Sequence, residues 1–172
     1  MNESLGFKDR VAMGFGKGLP EGINFKGHMK VEVFGESGKL KDIREIDNTV
    51  TLAAKYGIMD QLLATPNGVG YTSKPGWMEL GTGTGQTASS TTLAIYISGS
   101  RTVLDSKTRA SAVITMICTF PAGTGTNAAI TEAGIFDVVT QNTAYLWTYA
   151  SFGAIAKASG DSMVITWTLT AS

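Results

Sequence analysis

The sequence has very few of the residues that build metal centres and acid–base catalytic sites. Its 172 residues include one histidine, His28, and one cysteine, Cys118. A structural zinc site needs several His or Cys ligands, and a Ser-His-Asp arrangement would have to recruit His28. No G-x-S-x-G motif surrounds a serine. A lone cysteine excludes an intrachain disulfide. We therefore expect no catalytic residues, no metal and no cofactor, and no enzymatic activity.

Long apolar runs are also missing. No run approaches the ~18 residues that a membrane helix requires. The first ten residues are mixed in charge and lack the apolar centre of a signal peptide. We expect a soluble protein that is not secreted and has no membrane partner.

Charge is scarce over most of the chain. Residues 1–47 contain eight basic and eight acidic residues, whereas the 125 residues after them contain six of each. Both parts are balanced, so there is no basic patch that would indicate nucleic-acid binding. Permanent interfaces are depleted in charge at their centres, which favours a multimer. The alternative is a threonine-rich β-domain whose hydroxyl groups keep it soluble.

Alternation of apolar and polar residues predicts β-strands in the second half of the chain. Residues 162–171 alternate, with Met163, Ile165 and Trp167 on one side and threonines on the other. Residues 111–120 repeat the pattern, with Ala112 and Ile114 predicted to face inward. Several short strands separated by turns indicate a mainly β fold, a β-sandwich or a jelly-roll-like domain with strands across 75–172.

The first part of the chain predicts an arm, a hairpin and one packed helix. Residues 1–28 are glycine-rich and lack apolar periodicity, which indicates an extended N-terminal arm. Residues 29–172 then form a single β-rich domain, with a hairpin over 29–46 and a helix over 49–64. We expect Asn48 or Thr49 to cap the helix. An apolar stripe should pack it on a sheet face, and this stripe comprises Leu52, Tyr56, Met59 and Leu63.

Isolated aromatic side chains in the arm are its candidate partner-binding residues. They are Phe7, Phe15 and Phe25, which could dock on a neighbouring subunit. The alternative is a disordered tail without a partner.

Several other motifs have a functional and a structural interpretation. The glycine runs, such as 81–85, lack the spacing and the following helix of a nucleotide-binding loop and predict tight turns instead. The carboxylates Glu79, Glu132 and Asp137 are too sparse to identify a glycosidase pair. We expect Glu132 to face outward or to pair with an arginine, Arg101 or Arg109. The three tryptophans could line a carbohydrate-binding face, although core packing is favoured for Trp167.

Four segments in fixed order resemble a group of tailed-phage virion proteins. In that group a "φ-x-φ-G-T-G" strand precedes a "T-F-P-A-G-x-G" strand end, an "I-T-E-A-G-L-F" strand and a C-terminal "L-x-I-T-W-x-I" strand. The resemblance covers about residues 30–172. The matching segments here are Trp77-Met78-Glu79-Leu80-Gly81-Thr82-Gly83-Thr84, Phe120-Pro121-Ala122-Gly123-Thr124-Gly125, Ile130-Thr131-Glu132-Ala133-Gly134-Ile135-Phe136 and Val164-Ile165-Thr166-Trp167-Thr168-Leu169.

The resemblance implies a structural role in the virion. Proteins of this group are similar to capsid decoration (cement) proteins and to tail or head fibre components. It implies partners in the major capsid protein and in other copies of the same chain, as a homotrimer, with no nucleic acid and no small-molecule substrate. It also implies assembly in the bacterial host cytoplasm. The alternative is a tail- or head-fibre module for host adsorption that could bind carbohydrate. The arm of 1–28 departs from the shortest members, which begin near the hairpin.

Overall fold

The structure is a computed structural model that describes residues 24–60, 74–141 and 146–172. In these residues the fold is mainly β, with nine strands and one short helix, which confirms the predicted fold class at this level. The strands and the helix are β1 (Phe25–Phe34), β2 (Leu40–Val50), α1 (Leu52–Asp60), β3 (Trp77–Gly81), β4 (Thr102–Val103), β5 (Ser106–Ala110), β6 (Val113–Phe120), β7 (Asn127–Phe136), β8 (Leu146–Lys157) and β9 (Ser162–Ala171).

The nine strands form one antiparallel sheet in the order β4-β3-β7-β8-β2-β1-β9-β6-β5. Its two edge strands, β4 and β5, follow each other in the chain and are joined by Leu104 and Asp105. The backbone N–H of Leu104 donates to the carbonyl of Gly76 beside β3, and that of Asp105 donates to the carbonyl of Ile117 in β6. Because two residues connect opposite edges, the sheet is curled into a half-barrel.

The core lies on the inner face of the curled sheet. The register aligns buried residues of β1, β9 and β6 in rows, so that Trp167 lies between Met29 and Met116. Buried residues of β3, β7 and β8 belong to the same cluster. The predicted alternation of 162–171 is confirmed for Met163, Ile165 and Trp167.

The inward row predicted for 111–120 is only partly correct. Met116, Cys118 and Phe120 are buried, but Ala112 and Ile114 are exposed. Ile114 lies on the same face of β6 as the core residues, and Ala112 lies in the turn that precedes β6. They are exposed because that face continues beyond the end of the core.

The first hairpin is longer than the predicted 29–46. It starts at Phe25 and ends at Val50, because β1 is paired with β2 on one side and with β9 along its whole length on the other. Residues 25–28 of the predicted arm therefore belong to β1. The rest of the predicted arm, 1–23, lies outside the described residues.

The predicted contact face of the helix is wrong. Leu52 and Tyr56 are 38% and 54% exposed. The helix instead packs through its small residues, because a Cβ atom on Gly57 would lie 2.7 Å from the Trp147 ring of β8. The helix is capped by Thr51 instead of the predicted Asn48 or Thr49, since the Ala54 N–H donates to Thr51 Oγ1 at 3.2 Å. Residues 61–64 lie outside the described range.

None of the helices in the described part of the chain is long and apolar enough to cross a membrane.

Two strand glycines provide a matched test of packing inside the curled sheet. A Cβ atom on Gly134 of β7 would lie 2.5 Å from Leu146 Cδ1 and 3.0 Å from Leu93 Cδ2, whereas one on Gly153 of β8 would meet nothing within 4 Å. We expect Gly134→Ala to lower the free energy of unfolding by about 1–3 kcal/mol through overpacking. Gly153→Ala should leave it unchanged or raise it by up to ~1 kcal/mol. Urea denaturation measures both, and equal effects would contradict this packing.

Candidate functional site

A buried carboxylate connects two of the segments that carry the resemblance. Glu132 in β7 is fully buried, and its Oε1 accepts hydrogen bonds from the backbone N–H groups of Gly83 and Ile95, both at 2.9 Å. Its Oε2 accepts one from Ala94 at 3.1 Å. The expectation that Glu132 faces outward or pairs with an arginine is therefore wrong. Its charge is stabilised by backbone donors from the segment that follows β3.

The glycines of this segment are required by the approach of Glu132. A Cβ atom on Gly81 would lie 2.5 Å from Glu132 Oε1, and one on Gly83 would lie 2.6 Å from the same oxygen. Only glycine allows the backbone to come this close to the carboxylate without displacing it. The glycines of this run therefore make room for the carboxylate of Glu132 inside the fold.

A second buried cluster surrounds Arg101. Its guanidinium pairs with Glu79 at 2.6 Å and lies 3.7 Å from the centre of the Phe136 ring. It also donates to the carbonyl of Val138 at 2.8 Å. Glu79 additionally accepts a hydrogen bond from Gln141 Nε2. Glu79 thus binds two side chains, whereas Glu132 binds backbone N–H groups. Each carboxylate holds a connecting segment against the sheet.

Asp137, the third carboxylate considered, lies just after β7 in an unfavourable position. It is 8% exposed, and neither of its oxygens accepts a hydrogen bond from another described residue. Burial raises its pKa to about 6, an effect that its own backbone N–H and the charge of Arg101 only partly oppose.

The tryptophans do not form an exposed carbohydrate-binding platform. Trp167 is completely buried and Trp147 is 6% exposed. Trp77 is half-buried and packs against the small cluster that includes Leu93 and Phe136. Among the described residues, no three His, Cys, Asp or Glu side chains are grouped so that they could hold a metal ion.

The candidate site is an apolar groove at one end of the curled sheet. It has a volume of about 280 Å³. It forms because the inner rows of the sheet run past the core: Ile114 of β6 lies opposite Leu169 of β9, and Ala171 of β9 lies opposite Phe25 of β1. Ala54 and Ile58 of helix α1, together with Trp147, also line it. The exposed residues Ile114 of β6 and Ala112 of the preceding turn both line this groove.

Two lysines and a tryptophan contribute to the groove lining mainly through their apolar atoms. Lys74 and Lys107 line it, and Lys107 Nζ donates to the carbonyl of Pro75 at 2.5 Å. Burial lowers the pKa of Lys107, and the nearby charge of Lys74 lowers it further. The indole Nε1 of Trp147 is buried and has no hydrogen-bond partner among the residues described. The surface that the groove offers is therefore almost entirely apolar.

The structure places only one of the three predicted partner-binding residues. Phe25 belongs to β1 and lines the groove. Phe7 and Phe15 lie outside the described residues and stay a prediction. Sequence reasoning missed the groove itself, although the predicted inward positions of Ala112 and Ile114 were its signal.

Comparisons with known proteins give no match: no family model, no curated protein and no solved structure resembles this chain closely enough to be reported.

Replacing Glu132 by alanine tests its role as an internal anchor. The change leaves three N–H groups, those of Gly83, Ala94 and Ile95, without their acceptor. Because each buried unpaired group costs about 1–3 kcal/mol, we expect a loss of at least about 3 kcal/mol in the free energy of unfolding. Glu132→Gln keeps one acceptor oxygen and should lose less. The control is Glu45→Ala at an exposed position of β2. Thermal or urea unfolding measures the stability of each variant, and a loss for Glu132→Ala no larger than that for Glu45→Ala would refute the role.

Asp137 predicts a particular dependence of stability on pH. Because its pKa is raised in the folded protein, the folded state binds the proton more tightly than the unfolded chain does. The tighter binding of this proton stabilises the folded state. The stabilisation is complete below pH 3.8, the ordinary pKa of an aspartate, and is lost as the pH rises through about 6. We expect Asp137→Asn to remove this decline and to raise stability at pH 7 by about 1–2 kcal/mol. Unfolding curves recorded between pH 3.5 and 7.5 test this; a variant with an unchanged pH profile would contradict it.

Proposed function

We propose that this chain is a structural protein of a tailed-phage virion, namely a capsid decoration (cement) protein that binds and stabilises the shell of the major capsid protein. The observation that carries the proposal is the interlocking of the segments that resemble such proteins. Glu132 of the "T-E-A-G" segment accepts from the backbone of the "G-T-G" segment. Lys157 donates to the carbonyl of Pro121 at 2.9 Å and so fixes the "F-P-A-G" segment. The segments that carry the resemblance are thus held together by hydrogen bonds inside the fold, as a structural role requires.

One face of this scaffold suits broad protein contact. The outward side chains of β6 and β9 carry no charge. The register places them side by side, with Thr115 opposite Thr168 and Ile117 opposite Thr166. Charged side chains are instead frequent on β1 and β2, as in the Lys30–Glu32 pair. Uncharged interface centres bordered by charge are typical of stable assemblies. This face, named here the threonine face, comprises Val113, Thr115, Ile117, Thr119, Ser162, Val164, Thr166, Thr168 and Thr170.

The proposal includes the finer features implied by the resemblance. In it, the curled sheet is a variant of the β-sandwich or jelly-roll-like domain of these virion proteins. Residues 1–23 act as an arm, and Phe7, Phe15 and Phe25 contact the partner. The chain associates as a homotrimer on the shell, since symmetric self-association matches the local axes of a capsid. Its place is the virion, after assembly in the bacterial cytoplasm.

Physical reasoning connects this scaffold to shell stabilisation. A shell that encloses packaged DNA is strained outward, and a protein that bridges neighbouring shell subunits adds contact area that separation would have to break. Ligand linkage makes this quantitative, because binding only to the assembled state stabilises that state by RT ln(1 + [L]/Kd) for each site. A stiff antiparallel sheet transmits such contacts without requiring a titrating or reacting group.

The decisive experiment is binding to expanded capsids that lack this protein. We expect the full chain to co-sediment with them at a stoichiometry of the order of the shell subunits, and to raise the temperature at which they release DNA. A double variant, Thr115→Glu with Thr168→Glu, should weaken binding by placing two charges at the centre of the threonine face. The matched control adds two charges at exposed positions outside this face, Val103→Glu with Val139→Glu. A wild-type chain that stays in the supernatant would refute the proposal.

Copy number separates this function from the alternative of a tail- or head-fibre module. Hundreds of copies per particle, measured by quantitative mass spectrometry of purified virions, would support a shell protein. A few to a few tens would support the fibre module instead, and binding on a glycan array would then test a role in host adsorption.

A further inference from the structure

We propose that the open edge of β2 pairs with the same edge of a second copy of this chain, so that two curled sheets join into one continuous antiparallel sheet. The contact has two-fold symmetry, and its axis passes beside Ile43. It is therefore additional to the homotrimer proposed on the shell, and it does not depend on the proposed virion function.

Most of β2 has a neighbouring strand on one side only, although β2 lies in the middle of the strand order. It pairs with β1 along residues 40–48, but with β8 only at Thr49 and Val50. Beyond that point β8 separates from β2, and its residue Gly153 is exposed. Within the described part of the chain, no strand pairs with residues 40–48 on this second side. An open edge of this length is a template for pairing with another chain.

The backbone of β2 directs hydrogen-bonding groups toward this open edge. In an antiparallel sheet, the residues that bond one neighbouring strand alternate with those that bond the other. Thr51, just after β2, donates its backbone N–H to the carbonyl of Trp147 in β8 at 3.1 Å. The odd-numbered residues of β2 therefore face the side of β8. In the open part of the edge these residues are Ile43, Glu45 and Asp47.

Side chains occupy the outward backbone groups of Ile43 in the single chain. Its N–H donates to Asp42 Oδ1 at 2.7 Å, and its carbonyl accepts from Arg44 Nη1 at 2.8 Å. The two side chains also pair with each other. A partner strand can take over both backbone bonds, and this releases Asp42 and Arg44 for contacts across the edge.

The order of side chains along this edge is complementary to itself. When two copies of the strand run antiparallel about Ile43, each charge meets the opposite charge and each apolar residue meets another. The facing pairs are Ile43 with Ile43, Asp42 with Arg44, Lys41 with Glu45, and Leu40 with Ile46. Pairing about Arg44 or Glu45 would instead place like charges opposite each other, which is destabilising. An edge that only repelled other copies would need charges of one sign.

The centre of the contact provides most of its specificity. Ile43 is 43% exposed, and on pairing it meets its own copy at the axis. Lys41 contributes less, because it already binds Asp161 at 2.6 Å and lies beside an irregularity in the pairing of β2 with β1. The two symmetry-related pairs of Asp42 with Arg44 therefore select the register.

The test is sedimentation velocity of the full chain at a series of micromolar concentrations. We expect a reversible equilibrium between monomer and dimer. Asp42→Arg and Arg44→Asp each create like-charge pairs on both sides of the axis, and each should raise the dimer Kd at least about tenfold. The control is Glu32→Lys, which breaks the equivalent Lys30–Glu32 pair of β1. Because β1 is paired on both sides, this control should leave the dimer Kd unchanged.

Mixing the two variants separates a specific contact from a loss of folding. Asp42→Arg is complementary to Arg44→Asp in the proposed register, so an equimolar mixture should form a heterodimer at concentrations where each variant alone is monomeric. A misfolded variant would not be rescued in this way. Amide hydrogen exchange of the wild-type chain gives a second measurement. The N–H groups of Glu45 and Asp47 should exchange more slowly as dimer forms, whereas that of Ile46, which faces β1, should exchange slowly throughout.

Three results would overturn the proposal. The first is a wild-type chain that stays monomeric at every concentration. The second is a dimer that both single variants leave unchanged, since it would use another surface. The third is a chain that associates only after Asp42 or Arg44 is replaced, because these side chains would then protect the edge from pairing. No capsid takes part in these measurements, so their failure is distinguishable from a failure to co-sediment with capsids.

Discussion

The carboxylate of Glu132 is the interaction on which the curled sheet most depends. The segment between β3 and β4, residues 82–101, has no strand or helix of its own, and segments this long without regular structure are uncommon in compact domains. Three of its backbone N–H groups end on this one side chain. A buried charge is costly when unpaired, so the segment and the carboxylate stabilise each other. Loss of either would leave the other without its hydrogen bonds.

Other internal charges follow the same arrangement, in which a buried ion lies against backbone groups. Lys157 is 1% exposed, and its Nζ donates to the carbonyls of Pro121 and Asp161. Arg101 likewise donates to the carbonyls of Val138 and Thr140 in addition to Glu79. In both cases the charged group orders a connecting segment against the sheet. Asp137 is the exception, because it is buried without an equivalent partner.

Sequence patterns predicted the strands best where the chain alternates between a buried and a half-exposed face. Residues 162–171 are such a case, since β9 has neighbours on both sides and one face against the core. The helix face was mispredicted because Gly57 and two alanines make the contact, and small residues leave no hydrophobic stripe. The partners of Glu132 had no sequence signal either, since every residue has a backbone N–H. The groove arises where rows from three distant strands end together, which only the register shows.

The pairing of β1 with β9 has a consequence for how the protein is made. The strand nearest the start of the described chain lies between β2 and the last strand, with Phe25 opposite Ala171. During synthesis β1 and its hairpin partner leave the ribosome long before β9 exists. One side of the nascent hairpin therefore stays unpaired until β9 has been synthesised, and such exposed edges promote aggregation of incomplete chains. Slow, late closure of the sheet, and a benefit from chaperones during expression, follow from this topology.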